Sequence, residues 1–254
     1  MSETNRTPTA PPGDPLPVVS VVVPVYNEPE NVEPLVAEID GVLAGGQAYE
    51  LIFVDDGSSD GTRMALTRAK RRFSRLRCLT HAENCGQSAA LRTGILAARG
   101  RDVVTLDGDG QNDPADIPRL LSLLAAGEGN LGLVAGQRRR RQDDIVKRLG
   151  SRIANAVRGW LLGDRTPDTG CGLKAFPREI FLRLPYFDHM HRFLPALVLR
   201  EGHGVRLVEV NHRPRIHGLS KYGTFDRLWI GIVDLIGVLW LKRRQRRPSR
   251  IEEW

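Results

Sequence analysis

The segment VVSVVVPV, residues 18–25, constrains the fold more than any other part of the chain. Consecutive β-branched residues are stiff at χ1 and pack poorly into a helix. A run with no polar alternation suits a strand buried on both faces, which is the usual state of a parallel strand covered by helices. ELIFVDD (50–56) and DVVTLD (102–107) repeat the signature, and 75–80 and 131–136 are weaker versions of it. Between them, 31–43, 62–73, 87–98 and 114–125 carry apolar residues at helical spacing. Strand–helix alternation with short links predicts an α/β fold, a mostly parallel sheet with helices on both faces.

The first 17 residues, MSETNRTPTAPPGDPLP, are polar and lack the apolar centre of a secretory signal, so they read as a disordered leader. After Gly136 come a basic run, Arg138 to Arg141, a helix expected over about 144–162 and a turn-rich PDTGCG. A short LKAF strand, helices around 178–184 and 192–200, and an extended VRLVEVNHRPR follow. The expected division is a leader over 1–17, a folded domain over 18–225, and an apolar helix with a polybasic tail over 226–254. Hydrophobic residues at 41% and charged residues at 26% exclude wholesale disorder and collagen-like repetition. The 3 cysteines, Cys78, Cys85 and Cys171, are too scattered for a disulfide framework and form no CxxC pair. His81, His189, His191, His203 and His212 show no metal-ligand spacing and read as ordinary. A formal charge of +7 could serve nucleic acid, an anionic membrane or phosphorylated substrates.

In an open parallel sheet, ligands sit beyond the carboxyl ends of the strands. Three strands here end in polar chemistry: Pro24-Val25-Tyr26-Asn27-Glu28, then Asp55 to Thr62 (DDGSSDGT), then Asp107-Gly108-Asp109-Gly110-Gln111. Asp60 alone could equally cap the helix that follows it. Asp107-x-Asp109 admits two readings. Two carboxylates so close repel unless a cation or donors sit between them, and hard oxygen ligands favour Mg²⁺ or Mn²⁺. Gly108 and Gly110 would also allow an Asx-stabilised turn.

PVYNE, VDDGSSDGT, the N-x-G-x-x-x-A-x-x-x-G run (Asn84, Gly86, Ala90, Gly94) and DGDGQ-x-D-P resemble glycosyltransferase family 2. That resemblance implies the GT-A fold, with a Rossmann-like sheet. A narrower resemblance, to the polyprenyl-phosphate sugar transferases that include dolichol-phosphate mannosyltransferase, rests on four motifs in the family's order. They are DxDxQ ending in Gln111, Gly136-Gln137-Arg138, Asp168-Thr-Gly-Cys-Gly-Leu-Lys174, and His217-Gly218-x-Ser220-Lys221-Tyr222-Gly223. The resemblance spans about residues 18–242.

By that resemblance, Pro24, Tyr26, Glu28, Asp55, Asp56 and Asp107 hold the nucleotide, where carboxylates suit ribose hydroxyls and base N–H donors. It gives Asp107, Asp109 and Gln111 to a Mg²⁺ or Mn²⁺ ion on the diphosphate, and Arg138 to a phosphate. Arg213, Arg215, Ser220 and Lys221 fall on the acceptor or diphosphate side, with HGLSKYG as a lid. Without the resemblance that loop would read as a solvated basic turn. Asp168, Arg138 and Lys221 carry the reaction. The implied activity is inverting transfer of a sugar from a nucleotide diphosphate donor to a polyprenyl (undecaprenyl or dolichyl) phosphate, for envelope glycan or lipopolysaccharide modification. A phosphate acceptor is already mostly ionised, so Asp168 would position groups. The alternative is a sugar hydroxyl on a glycolipid or polysaccharide, for which Asp168 would be a general base. Ala90 and Gly94 read as small residues that let a helix approach the sheet.

LWIGIVDLIGVLWL (228–241) is shorter than the roughly 20 residues of a spanning helix and holds Asp234 near its middle. Trp229 and Trp240 at its ends, and the basic residues after it, suit an amphipathic helix lying at an anionic surface. Packing on the domain's own core, or against a second subunit as a homo-oligomer, is the competing reading. Family members often continue into spanning helices, so this chain is expected to dock peripherally on the cytoplasmic face of the cell membrane. Aromatic residues at 6%, with basic clusters beside an apolar helix, argue against nucleic acid as the partner.

Overall fold

The structure is a computed structural model that describes residues 17–127, 130–138, 158–164, 166–214, 224–246 and 252. The strands are β1 (Val19–Val25), β2 (Tyr49–Asp55), β3 (Leu76–Thr80), β4 (Asp102–Thr105), β5 (Leu131–Arg138), β6 (Lys174–Pro177) and β7 (Gly204–Val210). They form one seven-stranded sheet in the order β3-β2-β1-β4-β6-β5-β7. The pairs β3–β2, β2–β1, β1–β4 and β5–β7 are parallel, and β6 runs antiparallel between β4 and β5. The expected mostly parallel α/β sheet is therefore present, and β4 pairs only as far as Thr105, two residues short of its expected end.

The β1 run is buried along its whole length because successive side chains enter different cores. Val21, Val23 and Val25 join Leu51 and Phe53 under the helices α1 (Pro29–Leu43), α2 (Thr62–Arg72) and α4 (Ile117–Ala125). Val22 faces the other way, with Ile52, Val54, Val103 and Phe176, under α3 (Gln87–Ala97) and the Leu194–Arg200 helix. Each such buried aliphatic side chain contributes about 1.5–3 kcal/mol. The small residues of α3 do what their size suggests: Ala90 is fully buried, and a Cβ on Gly94 would lie 2.4 Å from Val22 Cγ1. At the amino edge of the sheet, Glu50 is buried and accepts from Ser20 Oγ (2.7 Å), Arg77 Nη1 (2.6 Å) and Arg99 N (2.7 Å).

The terminal helix, Thr224–Arg244, begins just before the expected boundary at 226 and does not stand apart from the domain. Val238 is buried in the second core, where Leu235 and Leu239 also pack. Arg200 Nε donates to Leu241 O (3.2 Å), and Lys242 Nζ donates to Leu162 O. The opposite face exposes Ile232, Val233, Ile236 and Trp240. Among the described residues, no helix is long and apolar enough to cross a membrane. Most of the helix expected over 144–162, the side chain of Trp229, Arg215, and the lid residues Ser220 and Lys221 lie outside what the structure describes; residues 158–162 are helical.

Candidate active site

The first two polar strand ends are knitted into one rim. Asp56 N donates to Val25 O (2.9 Å), Asn27 N to Ser58 Oγ (2.9 Å), and Ser59 N to Asn27 Oδ1 (2.9 Å). Asn27 has φ +53°, a left-handed conformation that Asn tolerates well. Pro24 lies within buried β1, and Tyr26 follows it half-buried. Glu28 is buried; its N–H donates to Thr62 Oγ1 (2.9 Å), and its Oε2 accepts from Asn31 Nδ2 (2.7 Å). Asp55, also buried, accepts from Ser58 N (3.0 Å). Asp60 accepts from Thr62 N (2.9 Å) and Thr62 Oγ1 (2.6 Å) in the turn before α2, whose N-cap position is Gly61.

Asp56 is the hub of this rim. Its carboxylate accepts from Asn84 Nδ2 (3.0 Å), Cys85 N (3.0 Å) and Gly86 N (2.8 Å), and meets His81 Nδ1 at 2.7 Å. It thereby folds the turn that carries the chain into α3. An open cleft of about 370 Å³ lies alongside, lined by Asp55, Gly57, Ser58, Arg63, Thr80 and His81.

The third strand end faces the second half of the chain. Because β6 runs antiparallel between β4 and β5, it starts at the same edge where β4 and β5 finish, with Lys174 opposite both Thr105 and Ala135. That topology returns residues 168–174 to the carboxyl rim. Thr105 Oγ1 donates to Gly172 O (2.7 Å), and a Cβ on Gly172 would fall 2.3 Å from the Asp107 carboxyl carbon. Only glycine permits that approach. Arg138, the last residue of β5, clasps Asp168 with Nε–Oδ2 and Nη2–Oδ1 distances of 2.7 Å each. Burial works against the Arg138 charge, but the Asp168 carboxylate more than offsets it and raises the guanidinium above its ordinary value.

Asp107 accepts from Gln87 Nε2 (2.8 Å), and its N–H donates to Asn112 Oδ1 (2.9 Å). Burial and the nearby Asp109 charge push its carboxyl up to about 6, against the opposing pull of Lys174, Gln87 and Arg138. Asp109 accepts from Gln111 N (3.1 Å), and Gln111 and Arg213 exchange main-chain and amide contacts. Two hard carboxylates, one raised first by desolvation and then by the other's charge, form a donor set that fits a divalent cation. Arg213 itself pairs with Glu38 (2.6 Å) and Asp113 (2.8 Å).

Three residues here escaped the sequence reading as site members. Gln87 follows the Asn84-x-Gly86 motif directly, so its position held a signal. Asn112 sits inside the acidic motif. Lys174 closes the PDTGCGLK stretch but reads as a strand residue. It is only 4% exposed, donates to Cys171 O, and is depressed by burial while Cys171, Asp107 and Asp168 oppose that shift. Of the histidines, His191 is half-buried beside Ser88 Oγ (2.7 Å), and desolvation holds it well below its usual value. The fold gathers His81 with Asp56 and Cys85.

Comparison with known proteins agrees with this geometry. The family model for glycosyl transferase family 2 matches residues 20–184. The dodecaprenyl-phosphate galacturonate synthase of Rhizobium johnstonii is 39% identical over 91% of this chain and 69% of its own length. The undecaprenyl-phosphate 4-deoxy-4-formamido-L-arabinose transferase of Aeromonas hydrophila is 36% identical over 81% of this chain and 63% of its own length. This chain thus spans roughly two thirds of either relative. The fold is shared with glucosyl-3-phosphoglycerate synthase from Mycobacterium tuberculosis, solved with Mn²⁺, uridine-diphosphate-glucose and glycerol 3-phosphate. That structure gives a TM-score of 0.66 at 23% identity, covering 89% of this chain and 80% of the other. A GT-A-type sheet, acidic strand ends gathered on one rim, and these matches make the chain a member of glycosyl transferase family 2.

Proposed function

We propose that this glycosyltransferase moves a sugar, with inversion, from a nucleotide diphosphate donor to a polyprenyl phosphate at the cytoplasmic membrane surface. The observation that carries this reading is the return of residues 168–174 to the rim, which sets Arg138–Asp168 and Lys174 beside Asp107. Both relatives, a dodecaprenyl-phosphate galacturonate synthase and an undecaprenyl-phosphate 4-deoxy-4-formamido-L-arabinose transferase, support the acceptor class.

The chain's own groups divide the work. Pro24, Tyr26, Glu28, Asp55 and Asp56 shape the nucleotide side, with Asp56 acting through the turn it folds. A Mg²⁺ or Mn²⁺ ion on Asp107, Asp109 and Gln111 would supply positive charge to the donor diphosphate. Gln87 and Gly172 hold Asp107 in place for that role. Arg138 offers guanidinium charge to the departing diphosphate, and Asp168 fixes its orientation with two parallel hydrogen bonds. Both Asp168 oxygens are taken up in that clasp, which favours a positioning role over proton abstraction. An ionised lipid phosphate needs no base: its oxygen attacks the anomeric carbon as the bond to the nucleoside diphosphate breaks. Arg213, Arg215, Ser220 and Lys221 belong to the acceptor side of this reading.

The outward face of the terminal helix fits the membrane part. Trp240 is 58% exposed, Trp160 is 81% exposed on the turn bonded to Lys242, and Arg243 and Arg244 follow. Apolar and aromatic contacts beside basic charge suit an anionic lipid surface. The decisive experiment incubates the protein with Mn²⁺, undecaprenyl phosphate and a panel of nucleotide sugars, and follows lipid-linked sugar and released nucleoside diphosphate. Product with at least one donor is expected. No lipid product with any donor, alongside glycosylation of a sugar hydroxyl, would overturn the reading.

A further inference from the structure

We infer that Asp56, His81 and Cys85 form a second cation site, one for a thiolate-seeking divalent ion of the Zn²⁺ class, separate from the hard carboxylates at Asp107 and Asp109. One carboxylate oxygen, one imidazole nitrogen and the Cys85 sulfur lie within 4.8 Å of one another. A mixed O, N, S donor set of this kind selects zinc-like ions over Mg²⁺ or Mn²⁺, because thiolate is a soft ligand.

The surroundings resemble those of a built site. His81 Nε2 lies 2.9 Å from Thr93 Oγ1, so the ring is oriented from its far side, as metal-bound imidazoles usually are. Its Nδ1 faces Asp56 Oδ1 at 2.7 Å. Two lone pairs cannot meet at that distance, so the contact needs a positive centre between them. A proton fills it in the metal-free chain; a bound ion, about 2.0–2.1 Å from each atom, would require that proton to leave and the pair to open by roughly half an ångström. Cys85 is exposed, and its sulfur has only a weak 3.5 Å contact with Glu83 O, so it is free to swing onto the ion. On binding, the Cys85 thiol proton leaves to solvent and the Nδ1 proton passes through solvent to Nε2, so the imidazole ends as the tautomer that donates Nε2–H to Thr93 Oγ1. Three protein ligands leave the fourth tetrahedral position open.

The site has a consequence that rests on the proposed donor reading. His81 also lines the 370 Å³ cleft beside Asp55 and Ser58. An ion on the 81–85 segment would therefore stand at the wall of the nucleotide side and inhibit transfer.

Cobalt(II) is the probe for the site itself, since a Co²⁺–thiolate bond gives a near-ultraviolet charge-transfer absorption. Titration of the whole protein should produce that band, and Zn²⁺ should displace it. Cys85→Ser should abolish the band, and His81→Gln should weaken Co²⁺ binding about tenfold or more. Asp107→Asn should leave it intact. Exposed Cys85 lets the Ser variant fold, which its thermal melt will verify. No band in the wild-type protein, or an equal band in Cys85→Ser, would overturn the site. In the transfer assay, Zn²⁺ added over Mn²⁺ should inhibit the wild type and spare Cys85→Ser. Equal inhibition of both would overturn the regulatory consequence while the cobalt band still tests the site. Absence of transfer without Zn²⁺ would count against the donor–acceptor reading instead.

Discussion

The two edges of one sheet each hold a carboxylate, Glu50 buried and Asp107 half-buried, and treat it in opposite ways. At the amino edge, Glu50 takes hydrogen bonds from Ser20, Arg77 and Arg99, so its charge is neutralised and its lone pairs are filled. At the carboxyl edge, Asp107 has the Gln87 amide, but desolvation and then the Asp109 charge push its carboxyl up to about 6. The first arrangement is complete in itself and serves stability. The second is incomplete in a way that a divalent cation would remedy. Burial of an acid is therefore a poor guide to function until its partners are counted.

That contrast can be broken by experiment. Asp107→Asn should remove Mn²⁺ binding, read by calorimetry, and lower sugar transfer at least about a hundredfold, since a bound metal stabilises developing charge by several kcal/mol. Transfer and metal binding that both survive would erase the distinction. Glu50→Gln should instead leave transfer kinetics unchanged and cost about 3 kcal/mol of stability, roughly 6–12 °C in the melting temperature. Loss of kcat with an unaltered melt would reverse the assignment. Asp168→Asn, which cannot keep both guanidinium bonds, should slow turnover roughly tenfold, about 1.4 kcal/mol. Unchanged turnover would take Asp168 out of the reaction.

The smallest effect is one of pH. Because the Asp107 carboxyl lies above its ordinary value of 3.8, the metal-free fold gains from its protonation. That contribution is complete below about 4 and disappears as pH rises through about 6. Mn²⁺ must displace the proton, so its affinity should weaken as pH falls through the same window. Lys174→Met removes a cation that opposes the shift and should move the midpoint upward. A midpoint unmoved in chemical denaturation across pH would show that Lys174 does not act on Asp107.

Local sequence carried the fold because β-branched runs and helical spacing are near-neighbour properties. The same holds for the acidic strand ends, whose position after buried strands is visible along the chain. What could not be read was pairing at long range. Nothing in LKAF announces a strand that runs antiparallel between β4 and β5, yet that insertion is what places Lys174 and Asp168 at the rim. Asp56 likewise looks like a ligand for a nucleotide, and only the fold reveals the 84–86 turn wrapped around it. The resemblance puts Arg213 on the acceptor or diphosphate side, while its salt bridges to Glu38 and Asp113 depend on contacts far apart in sequence.

The Arg138–Asp168 clasp joins residues 30 positions apart. It ties the end of β5 to the approach of β6 across the rim. Loop closure grows only with the logarithm of length, about 0.6 kcal/mol per doubling. The register of this edge therefore rests on two side chains and depends little on how many residues separate them.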